Sequence, residues 1–237
     1  MTDNFQLTKF NLANDEVHVW ELEFSEDPTW VQKIFSYLTM EEQKLYQDSP
    51  TAKKKKEFLL SRGPLRFLLS RYLKRDFSQI EILRQEKGKP FVPDKAFHFN
   101  LSHSHERAVF AFCQNFEIGI DLEFLNPKRS IKKIAQRYFA ESEKELIENT
   151  PQAQRERLAY QLWTAKEALM KGNGEGLELG IDQVIIPFKD QDKVIHFEEG
   201  IFKDWSLYFF SIQDEKYVAS LATQSSNPKL VFFQFDF

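Results

Sequence analysis

Two opposite patterns of apolar and polar positions dominate the middle of the chain. Over residues 118–124 (Ile-Gly-Ile-Asp-Leu-Glu-Phe), small or apolar residues alternate with Asp121 and Glu123. A strand turns alternate residues to one face, so this stretch predicts a strand carrying two carboxylates side by side. Over 163–171 the period changes. Trp163, Lys166, Glu167, Met170 and Lys171 fall at i, i+3, i+4, i+7 and i+8, which is one face of a helix. Laid over the strand, that face brings Glu167 to Asp121 and Glu123, with two ammonium groups alongside.

The flanking segments read as further strands over 16–24, 79–83, 97–101 and 108–113, and then over 183–188, 194–197, 205–212, 217–222 and 230–237. Asp27-Pro28 predicts an N-cap and first-turn proline for a helix to about residue 38, and Thr39-x-x-Glu42 a capping box for the next. Ser49-Pro50 opens a long basic helix to about residue 74, in which Pro64 predicts a kink or a break near Gly63. Lys87-Gly88-Lys89-Pro90 reads as a turn, and Ser102-His103-Ser104-His105 as a loop. Ser130 predicts a cap, Ser142-x-x-Glu145 a second capping box, and Thr150-Pro151 the start of a long helix ended by Gly172, Gly174 and Gly176.

The order of elements repeats. Glu21-Leu22-Glu23-Phe24 matches Asp121-Leu122-Glu123-Phe124 at an offset of 100, and Lys33-Ile34 matches Lys133-Ile134. Residues 59–65 match 163–169 at an offset of 104, as Gln79-Ile80 does Gln183-Val184. This predicts an α+β fold of two similar halves, 1–114 and 115–237, each a small antiparallel sheet packed with a long helix and related by a pseudo-twofold. In that alignment Gly63 faces Glu167 and Arg62 stands where Lys166 stands. The first half then lacks the third carboxylate, and one metal site is expected.

Composition narrows the picture. The 237 residues are 42% hydrophobic and 29% charged, enough for a proper core, and the 24 Phe predict phenylalanine-rich strands packed on helices. A net charge of −4 does not mark a nucleic-acid binder, although Lys53 to Lys56, Arg62, Arg66, Arg71, Lys74 and Arg75 cluster. Cys113 is the sole cysteine, which excludes an internal disulfide framework and a Cys-based metal site. No apolar run reaches the ~18 residues of a membrane span, and the N-terminus is polar, so a cytoplasmic protein without signal peptide is expected. Three carboxylates without His or Cys form a hard-oxygen set suited to Mg²⁺ or Mn²⁺. Lysines beside such an ion suggest a phosphate-bearing substrate.

Several motifs, in order, then resemble one family. Gly88-Lys89-Pro90, Phe99-Asn100-Leu101-Ser102-His103-Ser104, Gly119-Ile120-Asp121-Leu122-Glu123, Phe139-Ala140-x-x-Glu143 and Trp163-Thr164-x-Lys166-Glu167-Ala168-x-x-Lys171-x-x-Gly174-x-Gly176-Leu177 are similar to the 4′-phosphopantetheinyl transferases. The match is to their larger, pseudodimeric type, typified by surfactin synthetase activators. The resemblance implies a Mg²⁺-dependent transfer of the phosphopantetheine arm of coenzyme A to a serine of an acyl or peptidyl carrier protein, releasing adenosine 3′,5′-bisphosphate. It implies that Asp121, Glu123 and Glu167 hold Mg²⁺ (or Mn²⁺), that Lys166 and Lys171 neutralise phosphate oxygens, and that Glu143 is the candidate base for the carrier serine, directly or through a metal-bound water. It assigns Ser102 and His103 to a coenzyme A phosphate, and Arg62, Lys87 and Lys89 to its 3′-phosphate and nucleotide end. Coenzyme A and the metal are expected between the halves, in a monomer whose second half replaces a partner subunit. Another Mg²⁺-dependent phosphotransferase, or a non-catalytic binding module, are the rival classes.

Overall fold

The computed structural model describes residues 9–93, 97–126, 131–174, 180–188, 193–213, 215–225 and 227–235. Ser130, Gly176 and Leu177, which carry an expected cap, a helix end and the close of the last motif, lie outside them. The chain divides into two compact units. One is Met1–Arg84, Pro90–Asn115 and Pro228–Phe237, the other Gln85–Lys89 and Phe116–Asn227.

The first unit holds β1 (Glu16–Glu23), α1 (Pro28–Ser36), α2 (Met40–Gln47), α3 (Ala52–Leu73), β2 (Leu83–Arg84), β3 (Pro90–Phe91), β4 (His98–Ser104) and β5 (Arg107–Cys113). The second holds β6 (Ile118–Phe124), α4 (Ile131–Tyr138), α5 (Glu141–Asn149), α6 (Gln152–Asn173), β7 (Val194–His196), β8 (Ser206–Ile212) and β9 (Tyr217–Thr223). The last strand, β10 (Lys229–Gln234), returns to the first unit and pairs parallel with β1, Glu16 opposite Lys229. Sheet order is β10-β1-β5-β4 in one unit and β6-β9-β8-β7 in the other, and every pairing in them besides β1–β10 is antiparallel.

Local chemistry sets the helix starts. The Asp27 carboxylate accepts from Thr29 N at 2.7 Å to open α1. Thr39 and Glu42 close the expected capping box of α2, Thr39 N donating to Glu42 at 3.2 Å and Glu42 N to the Thr39 hydroxyl at 3.3 Å. Rings from strand and helix fill the first core: Trp20 stacks on Phe10 and Phe233, and Tyr72 packs on Phe112. Cys113 is buried at the end of β5.

The repeat is visible element by element. Both long helices have 22 residues, 52–73 and 152–173, an offset of 100, and the order β1-β5-β4 recurs as β6-β9-β8. This moves the register expected from 59–65 and 163–169. Arg66, not Arg62, is the counterpart of Lys166, and Phe67, not Gly63, faces Glu167 in the comparison. The counterparts of Asp121 and Glu123 are Glu21 and Glu23, whose charges are met by the buried guanidinium of Arg107, which reaches Glu23 at 2.7 Å and also bonds Glu21.

Four local expectations are corrected. The helix α3 runs unbroken through Pro64, because Leu59, Leu60, Leu65, Leu68 and Leu69 are buried around it. Each buried leucine contributes about 1.5–3 kcal/mol, against about 3 kcal/mol for the interior proline. Residues 79–83 and 183–188 are not strands; the first passes from a 3₁₀ turn at Phe77–Gln79 into the short β2, and the second follows a 3₁₀ turn at Ile181–Gln183. Ser102 to Ser104 belong to β4, and only His105 and Glu106 form the loop to β5, His105 taking a φ of 55°. The helix α5 is capped two residues earlier than Ser142 and Glu145 suggest, and only by half a box: Glu143 accepts from Ala140 N at 2.9 Å, while alanine has no side-chain acceptor to return the bond.

Candidate active site

The site in the second unit begins with a missing side chain. A Cβ on Gly119 would stand 2.0 Å from the carbonyl oxygen of Ala168 and 2.3 Å from the nitrogen of Gly172. Glycine therefore lets α6 lie directly on β6. Gly172 in turn faces the Trp205 ring, where a Cβ would meet Cζ3 at 2.5 Å. Gly174 ends the helix with a left-handed φ of 78°, its N–H on the Met170 carbonyl at 3.1 Å. Trp163 packs on Tyr138 and the core, the structural part expected of it.

This close approach brings the expected groups together. Lys171 donates to Asp121 Oδ1 at 2.7 Å and to the Ile120 carbonyl at 3.4 Å. Glu167 lies one helical turn before Lys171. Burial pushes its carboxyl up to about 7, the charge of Asp121 adds to the rise, Lys171 opposes it and Glu123 adds again. Asp121 stands opposite Ser220 of β9, and the Ser220 hydroxyl meets that of Thr164 at 2.8 Å in the interior. Helix, central strand and acidic strand are thus pinned at one level.

Among the described residues no group of three or more His, Cys, Asp or Glu is already arranged around a metal-sized point. The three carboxylates nevertheless share one field, since Asp121 and Glu123 both raise Glu167. A set of oxygens that repel one another beside a single ammonium fits a hard divalent cation in donor type and in charge.

The other expected residues fall elsewhere. Lys166 is wholly buried, its ammonium 2.8 Å from Glu143 Oε2, 3.3 Å from the Ile181 carbonyl and bonded to the Val184 carbonyl. Burial lowers its basicity and the Glu143 carboxylate opposes the fall. Glu143 is 2% exposed, and its Oε1 accepts from Ile186 N at 3.0 Å. The polar ends of Glu143, the expected base, and of Lys166, the expected phosphate contact, are engaged here with each other and with the 181–186 backbone. Lys89 is committed as well, reaching Glu117 at 2.5 Å and the Gly172 carbonyl at 2.6 Å, where it caps the negative end of α6. Lys87 is exposed on the turn formed by Gly88 at a φ of 91°.

In the first unit, Arg62 is partly buried on α3. Burial lowers its basicity, the charge of Arg84 lowers it further, Glu42 opposes and Arg66 adds to the fall. A guanidinium crowded by two others is a place that favours an anion. Ser102 is buried and His103 half-buried on β4; as neighbours in a strand they point to opposite faces. The contacts of Gly119, Gly172 and the Thr164–Ser220 pair were not expected, although a glycine inside a strand is a recognised sign of close backbone approach.

With this geometry in place, comparison with known proteins becomes specific. Residues 117–222 match the model of the 4′-phosphopantetheinyl transferase superfamily, and 24–115 match that of the 4′-phosphopantetheinyl transferase N-terminal region. The 4′-phosphopantetheinyl transferase HetI of Nostoc sp. is 32% identical over 170 residues, 70% of this chain and 72% of that protein. The transferase Sfp of Bacillus subtilis is 34% identical over 131 residues, 55% of this chain and 57% of its own length. The transferase AcpT of Escherichia coli is 28% identical over 131 residues, 55% and 64%. The superfamily model, over 117–222, covers the acidic strand and the helix that meets it, and with the match to HetI it shows that the chain belongs to the 4′-phosphopantetheinyl transferase family, a family of enzymes.

Proposed function

We propose that the chain moves the 4′-phosphopantetheine arm of coenzyme A to a serine hydroxyl of an apo acyl or peptidyl carrier protein, releasing adenosine 3′,5′-bisphosphate. The observation that carries this reading is the shared field of Asp121, Glu123 and Glu167 with Lys171 set on Asp121. These carboxylates would hold Mg²⁺, which when bound supplies charge neutralisation for the pyrophosphate oxygens. Lys171, partly exposed, is the cation that stands to meet phosphate oxygens as negative charge builds on them. Arg62, in its field of like charge, is suited to the 3′-phosphate, with Lys87 and the half-buried His103 as further coenzyme A contacts; Ser102, on the opposite face of β4, is left out of that set. Lys89 serves by holding the turn to the end of α6. A monomer acting in the cytoplasm, with neither nucleic acid nor membrane as partner, completes the proposal; no helix of the described residues is long and apolar enough to cross a membrane.

Intact-protein mass spectrometry of several purified apo carrier proteins, incubated with this protein, coenzyme A and Mg²⁺, tests it. The expected result is a gain of one phosphopantetheine mass that disappears with EDTA and with Asp121→Asn. No gain on any carrier refutes the transfer. Full activity of Asp121→Asn refutes the metal assignment alone.

A further inference from the structure

The two units carry the same buried device, and only one of them carries the acidic triad. In the first, the Arg66 guanidinium bonds Glu42 and donates to the Phe77 and Ile80 carbonyls at 3.0 and 2.8 Å. In the second, the Lys166 ammonium meets Glu143 and the Ile181 and Val184 carbonyls. Both carboxylates are the third residue of a short helix and both accept from the backbone N–H that opens it, Thr39 in one and Ala140 in the other. Both carbonyl pairs belong to a 3₁₀ turn and the residue that follows it. Cation and helix recur at an offset of 100.

The first unit is therefore an internal control. Its position 67 is Phe, packed on Tyr37 and Phe235, so the carboxylate that Glu167 supplies in the second unit has no counterpart at that position. A device that persists without the triad is not part of the bond-breaking chemistry. Successive residues on a helix turn by about 100°. Fixing Lys166 to α5 and to the 181–184 turn therefore fixes the direction of Glu167, and one turn later of Lys171, toward β6. The Thr164–Ser220 bond and the Gly119 contact set the depth of the helix, and the clamp sets its rotation about its own axis.

We propose that Glu143 and Lys166 are positioning residues that set the rotation of α6, so that Glu167 and Lys171 face Asp121, and that neither takes a proton from, nor binds, the substrate. This deepens the transferase reading and rests on it for the kinetic arm of its test. The experiment uses the whole chain. It measures binding of Mn²⁺ alone by titration, and carrier phosphopantetheinylation across pH, for wild type, Glu143→Gln, Lys166→Met and Lys166→Arg. Arginine fills the same clamp in the first unit, so Lys166→Arg is expected within about threefold of wild type in both readouts. Lys166→Met and Glu143→Gln are expected to weaken Mn²⁺ about tenfold and lower kcat about a hundredfold, the scale of an ~1 Å misplacement, with KM for coenzyme A little changed. The pH profile of Glu143→Gln keeps its shape.

Loss of the acid limb in Glu143→Gln makes it the base and overturns the proposal. So does a rise in KM for coenzyme A alone in Lys166→Met, or unchanged Mn²⁺ affinity in both variants. If a single variant fails to fold, Glu143→Leu/Lys166→Met removes both buried charges together, a change that buried pairs often tolerate. Weakened Mn²⁺ binding in that folded double variant supports positioning, and wild-type binding overturns it. Absence of transfer by wild type on every carrier would sink the transferase reading, while the Mn²⁺ titration would still decide the clamp.

Discussion

Gly119→Ala is the smallest change that should separate the acidic strand from its helix. The new methyl carbon would begin 2.0 Å from the Ala168 carbonyl oxygen, 2.3 Å from Gly172 N and 2.7 Å from Gly172 Cα. All three are backbone atoms of α6, so no side chain can swing away. Ordinary contact begins near 3.4 Å, and the helix must retreat from the strand by roughly 1.4 Å. Overpacking of this kind costs about 1–3 kcal/mol. The same retreat carries Glu167 and Lys171 away from Asp121, and an ~1 Å misplacement lowers turnover about a hundredfold. Urea unfolding followed by circular dichroism gives the first quantity, and the rate of carrier modification with saturating coenzyme A and Mg²⁺ gives the second. Wild-type stability together with a wild-type rate would refute the reasoning, because it would mean that α6 does not rest on β6 at residue 119.

Other consequences can be checked with the same two assays. Arg66→Ala strands the largely buried Glu42 carboxylate and should destabilise the chain by about 3–5 kcal/mol; a loss under 1 kcal/mol in denaturant melts would show that the pair is dispensable. Ser220→Ala removes the 2.8 Å bond to the Thr164 hydroxyl, which keeps its bond to the Gln161 carbonyl at 3.0 Å, and should cost about 0.5–1.5 kcal/mol, read from the shift in urea midpoint. His18, buried between Tyr72 and Glu16, is held neutral by burial, with Glu16 opposing. The unfolded chain takes up a proton at His18 below about pH 6.5 while the folded one resists, so this group lowers stability as pH drops from about 6.5 toward 5, whereas Glu167, pushed up to about 7, opposes it by taking its proton in the folded chain first. Glu16, held down to about 2 chiefly by its bond to Lys229, stays ionised across that window and does not contribute. Relative to wild type, His18→Gln should gain urea midpoint as pH falls through that window, and an identical pH dependence in the variant would place the titrating group elsewhere.

The parts of the fold that were legible depend on neighbours in sequence. Alternation over 118–124 gave the acidic strand, the spacing over 163–171 gave the helix face, and Thr39 with Glu42 gave a cap, because each signal sits within a few residues. The strand expected at 183–188 failed for the opposite reason. Val184, Ile185 and Ile186 have strand-forming side chains, but the Val184 carbonyl is taken by Lys166 and the Ile186 N–H by Glu143, groups 18 and 43 residues away. Glu143 itself looked available for catalysis, since nothing local shows that both of its oxygens are occupied. The repeat was found at a register four residues out over the long helices. Four residues are close to one helical turn, so the apolar faces superpose almost equally well either way. The ends of the two long helices and the clamp contacts choose Arg66 over Arg62.

The parallel pairing of β10 with β1 carries a consequence for synthesis. Glu16 and Lys229, joined at 2.8 Å, are 213 residues apart. Until the ribosome has released residue 234, β1 is an outer edge, and its run of buried apolar residues is open to pairing with another nascent chain. The second unit is encoded almost wholly inside that interval and can complete its own sheet first. Long loop closure makes the β1–β10 ladder slow to form. A released chain truncated before residue 229 should therefore keep a protease-resistant second unit attached to a first unit that is cleaved readily and that depends on chaperones to stay in solution.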